Sequence, residues 1–101
     1  MTDIETRLLI ITDIIPEPAL YEQLAEECSE LAQVALKKAR KLRNENYTPK
    51  TMDDIDADIL EEYNDVLLCA MVLNLSENSW AITHKLDRWI RRNIGIRKET
   101  E

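Results

Sequence analysis

The chain of 101 residues contains one glycine, Gly95, and two cysteines, Cys28 and Cys69. A single glycine cannot build the glycine-rich loops that bind phosphates through backbone amides, so P-loop and dinucleotide-binding motifs are excluded. The cysteines form neither a CxxC motif nor a disulfide framework. We expect them, and the only histidine, His84, to be structural. Phosphate chemistry in this chain would therefore need metal ions or charged side chains.

Positive charge and long apolar runs are also scarce. The chain has 13 Lys and Arg against 20 Asp and Glu, a formal net charge of −7. This balance disfavours a nucleic acid polymer as partner, because such binding depends on clustered basic side chains, and it favours divalent cations. The sequence has neither the apolar run of about 18 residues that spans a bilayer nor a signal-peptide pattern. These absences predict a cytoplasmic protein with no membrane partner.

Helix-forming residues dominate, and no segment alternates with the period of a strand. The sequence therefore predicts a single all-α domain over residues 1–101. Pro16 ends the first helix, because proline lacks the amide donor that a helix interior requires. We predict four helices: a short one within 1–15, a long one from Glu17 to about Asn44, a third that Asp53 or Asp54 caps and that runs to about Leu75, and a fourth from Trp80 to about Arg92. Residues 97–101 are predicted to be a flexible tail.

Acidic residues interrupt the apolar stripe of the second predicted helix. The stripe consists of Leu20, Leu24, Leu31 and Val34. Glu27 occupies the missing stripe position. At about 100° per residue, Glu30 lies roughly 60° to one side of Glu27, while Glu26 points further toward solvent. Two carboxylates therefore lie at or beside a face that should be buried.

The third predicted helix repeats this arrangement. Its stripe consists of Ile55, Ile59, Val66, Cys69 and Leu73. Glu62 occupies the missing position, and Asp65 lies roughly 60° from it, as Glu30 does from Glu27. Each helix therefore presents a matching pair of acids.

Carboxylates near a core need a compensating partner, because burying an isolated charge costs several kcal/mol. Lys38, more than two turns beyond Glu30, is the only base that either stripe offers. The all-oxygen ligand set predicts a site for Mg²⁺, with Mn²⁺ as a substitute. The alternative is that these acids are solvated surface charges, as most acid pairs on helices are. The fold-only version of that alternative predicts that Glu27 and Glu62 lie apart.

The segments LAEECSELAQVALKKARKLRN and EEYNDVLLCAMVL, with their paired acids, resemble the EExxE…ExxD signature of the MazG-like all-α nucleoside triphosphate pyrophosphohydrolases. The resemblance covers about residues 18–92, the expected core of the domain. It implies a four-helix MazG-like bundle, assembled as a dimer or tetramer with the nucleotide site near the subunit interface.

The resemblance also implies Mg²⁺-dependent hydrolysis of a nucleoside triphosphate between the α and β phosphates, giving the monophosphate and pyrophosphate. Carried over by position, Glu27, Glu30, Glu62 and Asp65 are the expected catalytic and metal-binding residues. Either Glu30 or Glu26 could orient or deprotonate the attacking water, and the sequence does not separate base from ligand. Neither the base and sugar of the substrate nor the number of metals follows from the sequence.

Basic and aromatic residues of the fourth helix are further candidates. Lys85 and Arg88 lie on one side of it and could bind phosphates, although basic residues near a helix C-terminus also complement its dipole. We expect Trp89 to belong to the core, while Trp80 and Tyr47 remain candidates for stacking on a nucleobase.

The third helix has a second apolar face, consisting of Leu60, Tyr63, Leu67 and Met71. A helix that is apolar on two sides is central or lies at a subunit interface, so we expect a homo-oligomer. A different functional class stays open. The chain could be a non-catalytic helical oligomerisation module or a nucleotide-binding regulatory module.

Overall fold

A computed structural model describes residues 3–45, 47 and 49–100, with the side chains of 96–100 excepted. It contains four α-helices: α1 (Ile4–Ile14), α2 (Glu17–Leu42), α3 (Met52–Val72) and α4 (Ser79–Thr100). No strand occurs among the described residues. The all-α prediction is therefore confirmed. Within the described part of the chain, no helix is both long enough and apolar enough to cross a bilayer.

Polar side chains cap the starts of three helices, α1, α3 and α4. At the start of α4, Oδ1 of Asn78 accepts a hydrogen bond from the amide of Ala81. The carboxylate of Asp3 accepts a hydrogen bond from the Thr6 amide at the start of α1. The N-cap of α3 is Thr51, whose hydroxyl accepts from the amide of Asp54, so the prediction of Asp53 or Asp54 as the cap was wrong. A threonine oxygen satisfies the free amide while the two aspartates sit in the first turn, where their charge suits the helix dipole.

Asparagines end α2 and α3 where glycine would be the common choice. Asn44 and Asn74 have φ values of 58° and 59°. The amide that follows each of them donates back into the helix, from Glu45 to the carbonyl of Arg40 and from Leu75 to the carbonyl of Ala70. This is the Schellman arrangement, in which a left-handed residue closes the last turn. It explains why both helices stop a few residues before their predicted ends.

The core lies mainly between α2 and α3, which form the most extensive interhelical contact. The two helices are antiparallel, because Lys38 late in α2 pairs with Asp56 early in α3, whereas Glu27 and Glu62 meet further along. Ile55 is fully buried, and the contact of α1 with α3 is smaller. The predicted inner faces of α2 and α3 are therefore the ones that meet.

The predicted bundle is incomplete in the single chain. Among the described residues, α4 has no contact with another helix comparable to the packing of α2 on α3. The radius of gyration is 18.3 Å, against about 13 Å for a compact domain of this length. Trp89, expected in the core, is 63% exposed. The helix also continues to Thr100, past its predicted end near Arg92 and through residues 97–100 of the predicted tail.

Candidate metal centre

Three carboxylates meet where α2 crosses α3. Glu27 and Glu30 lie one turn apart on α2, and Glu62 lies opposite them on α3. One oxygen from each of the three lies within 4.8 Å of the others. We call these residues the acid cluster. Glu27 and Glu62 therefore converge across the helix pair, whereas the fold-only alternative predicted that they lie apart.

The acid cluster lacks internal compensation for part of its charge. Glu27 and Glu62 are half-buried, and one oxygen of each, Oε2, is buried without a hydrogen-bond partner among the described residues. Lys38, the basic residue nearest to the two stripes in the sequence, forms an ion pair with Asp56 instead. Buried acceptors without a donor are costly, and a proton, a water molecule or a cation could satisfy these two oxygens.

The electrostatics of Glu30 reflect the same crowding. The negative charge of Glu27 is the main reason that the pKa of Glu30 is raised from 4.5 to about 7. A side-chain hydrogen bond with Glu62 contributes next. Because like charges at this distance disfavour full ionisation, one proton is held by the cluster near neutral pH. A divalent cation competes with that proton for the same oxygens.

Asp65, the fourth predicted ligand, is not a member of the acid cluster. It lies one turn beyond Glu62 on α3 and lines a surface cavity together with Glu27. Burial raises the pKa of the Cys69 thiol, and the charges of Glu27 and Asp65 raise it further. Asp65 is thus beside Glu27 and faces the cavity rather than the three converging oxygens.

The cavity has a volume of about 270 Å³ and opens between α1, α2 and α3. Its walls are mainly apolar side chains, including Ile11 from α1, Leu20 from α2 and Leu68 from α3. Its polar border consists of Gln23, Glu27 and Asp65. Because Glu27 belongs to both features, the cavity adjoins the acid cluster directly.

Sequence reasoning missed Gln23. Its Nε2 donates a 2.7 Å hydrogen bond to Oε1 of Glu27, the oxygen that does have a partner. The signal was available, because residues four positions apart on a helix are neighbours on its surface. The sequence alone could not show that the side chain also borders a cavity, since α1 and α3 form part of the wall.

The other predicted residues lie elsewhere. Lys85 and Arg88 are exposed on α4, and the structure does not bring them to the acid cluster. Glu26 is exposed on the outer side of α2. Trp80 is 74% exposed and stacks on His84, with ring centroids 5.1 Å apart.

Comparisons with known proteins identify no relative of this chain. No protein-family model, no curated protein and no solved structure matches this chain.

Proposed function

We propose that the protein is a Mg²⁺-dependent nucleoside triphosphate pyrophosphohydrolase of the MazG-like type. The observation that supports this function best is the acid cluster itself, with its two buried and unpartnered carboxylate oxygens. An all-oxygen set of this kind suits a hard cation such as Mg²⁺ or Mn²⁺. The resemblance of the flanking helices to MazG-like sequences supplies the reaction.

The position of each carboxylate suggests its role in metal binding. Glu27 and Glu62 would hold the cation through their free oxygens, and Glu30 would complete the set once it loses its proton. Bound Mg²⁺ supplies charge neutralisation of the triphosphate, polarisation of phosphorus and a lower pKa for attacking water. Asp65 lies outside the three converging oxygens, so we assign it either to a further cation or to orienting water at the border of the cavity.

A second functional candidate rests on the apolar surface that the chain leaves exposed. The outer face of α3, formed by Leu60, Tyr63, Leu67 and Met71, is between 39% and 62% exposed. On α4, Ile82, Leu86, Trp89 and Ile90 are between 44% and 63% exposed. Apolar area of this extent marks an interaction surface, so we propose a homo-oligomer. An oligomerisation module without turnover would have the same surface, but it would not need the acid cluster.

A substrate panel separates the two candidates. Purified protein is incubated with each common ribo- and deoxyribonucleoside triphosphate, with and without Mg²⁺, and the products are followed by chromatography. The proposed function predicts Mg²⁺-dependent monophosphate and pyrophosphate in equal amounts. Folded, oligomeric protein that cleaves none of the substrates would favour the second candidate.

A further inference from the structure

The cavity and the acid cluster are joined by one hydrogen bond. Gln23 borders the cavity, and its Nε2 donates to Oε1 of Glu27 at 2.7 Å. The other oxygen of Glu27, Oε2, is the buried one without a partner. Gln23 therefore restrains the carboxylate of Glu27 through one oxygen and leaves the buried oxygen, Oε2, to another partner.

The chemistry of the pair also fixes the orientation of the amide. The amino group of Gln23 faces Glu27, because Nε2 is the donor and a carboxylate oxygen the acceptor of this hydrogen bond. Within the part of the chain that the structure describes, Oε1 and the second N–H of Gln23 then have no hydrogen-bond partner. Glutamine uses a neighbouring acceptor and donor of this kind to contact the edge of a nucleobase with two hydrogen bonds.

The rest of the cavity suits a flat apolar group. Ile11 is 36% exposed and Leu68 is 54% exposed, and both line the cavity. A volume of about 270 Å³ is below the roughly 300–1,000 Å³ of pockets that enclose whole drug-sized ligands. The cavity can therefore receive one part of a nucleotide, such as its base, while the triphosphate reaches the acid cluster beside it.

We propose that Gln23 determines base specificity by contacting a nucleobase held in this cavity, and that it also positions Glu27 for metal binding. The proposal rests on the proposed function for the presence of a nucleotide. The amide of Gln23 then has two roles, because it contacts the nucleobase and also donates a hydrogen bond to Glu27, a metal ligand. The affinity for the metal and the preference among bases then both depend on the side chain of Gln23.

The test uses binding, so that it does not depend on turnover. Affinity for Mn²⁺ alone is measured by electron paramagnetic resonance in the wild type, Gln23→Leu and Leu68→Ser. Affinities for the four common bases are then measured by calorimetry with α,β-imido triphosphates in the presence of Mn²⁺. Gln33→Leu is the matched control, because Gln33 is an exposed glutamine of the same helix.

We expect Gln23→Leu to weaken Mn²⁺ binding by about tenfold or more, as removing a hydrogen bond to a metal ligand does. We also expect it to reduce the wild-type preference among the bases by about tenfold. Leu68→Ser should weaken nucleotide binding and leave Mn²⁺ affinity unchanged, and Gln33→Leu should change neither. An unchanged Mn²⁺ affinity or an unchanged base preference in Gln23→Leu overturns the proposal. If the wild type binds as expected but hydrolyses nothing, the proposed function fails and this inference stands.

Discussion

Replacing Glu62 with glutamine should stabilise the metal-free protein while removing its response to Mg²⁺. The change removes one negative charge from the acid cluster. It also places an amide donor where Glu27 and Glu62 now have buried oxygens without partners. A residue that is retained for metal binding is expected to destabilise the metal-free protein, because selection acts on metal binding rather than on the stability of the metal-free fold.

The size of the effect follows from the distance between Glu27 and Glu62. Their oxygens lie within 4.8 Å of each other. At that separation, the repulsion is about 1 kcal/mol with the dielectric constant of water and about 3.5 kcal/mol with an effective value near 20. The lower figure alone corresponds to a rise in Tm of roughly 4–8 °C for a domain of this size.

Thermal unfolding followed by circular dichroism measures both effects. In chelator at about pH 8, above the pKa of about 7 of Glu30, Glu62→Gln should melt several degrees above the wild type. Mg²⁺ at about 100 times its Kd should stabilise the wild type by about 2.7 kcal/mol and the variant much less. Glu61→Gln, an exposed neighbour outside the cluster, is the control and should respond to Mg²⁺ like the wild type. A lower metal-free Tm for Glu62→Gln, or an undiminished Mg²⁺ response, would refute the reasoning.

Three further predictions concern pH, packing and assembly. Because the pKa of Glu30 is about 7 in the fold against an ordinary value of 4.5, the folded state holds a proton that the unfolded chain has lost between these values. The free energy of unfolding of the metal-free protein, measured by urea titration, should therefore fall as pH rises from about 4.5 to 7. Over the same range, Mg²⁺ affinity measured by calorimetry should rise. A free energy of unfolding that does not change with pH would contradict the crowding of the acid cluster. Ile55→Ala, at a fully buried side chain, should cost about 2–5 kcal/mol in urea unfolding, and a cost near zero would show that α2 and α3 do not pack there. Leu67→Lys on the outer face of α3 should shift the assembly toward monomer in sedimentation, with Glu61→Gln as an unshifted control, and an unchanged assembly would remove that face from the interface.

The inner faces of α2 and α3 were predictable because helical periodicity depends only on local geometry. The stripe positions of Ile55 and Cys69 are buried, and the two glutamates that interrupt the stripes lie together. The ends of these helices were less predictable. Asn44 and Asn74 adopt left-handed conformations, and asparagine carries a weaker signal for a helix end than glycine does.

Features that depend on several helices at once could not be read from the sequence. Gln23 gains its place beside the cavity only when α1 and α3 supply the other walls. The periodicity of α4 predicted an apolar face but not what covers it, and within one chain Trp89 is exposed. Asp65 repeats the spacing of Glu30 but lines the cavity and is not among the three converging carboxylates.

The most direct test of the central claim is release of pyrophosphate by the wild type, Glu62→Gln and Glu61→Gln, each with and without Mg²⁺, on the triphosphate that the panel shows to be cleaved best. We expect the wild type and Glu61→Gln to release pyrophosphate only with Mg²⁺, and Glu62→Gln, with its helicity and assembly intact, to release none. Turnover preserved in Glu62→Gln, or absent from the wild type on every triphosphate, would contradict the central claim.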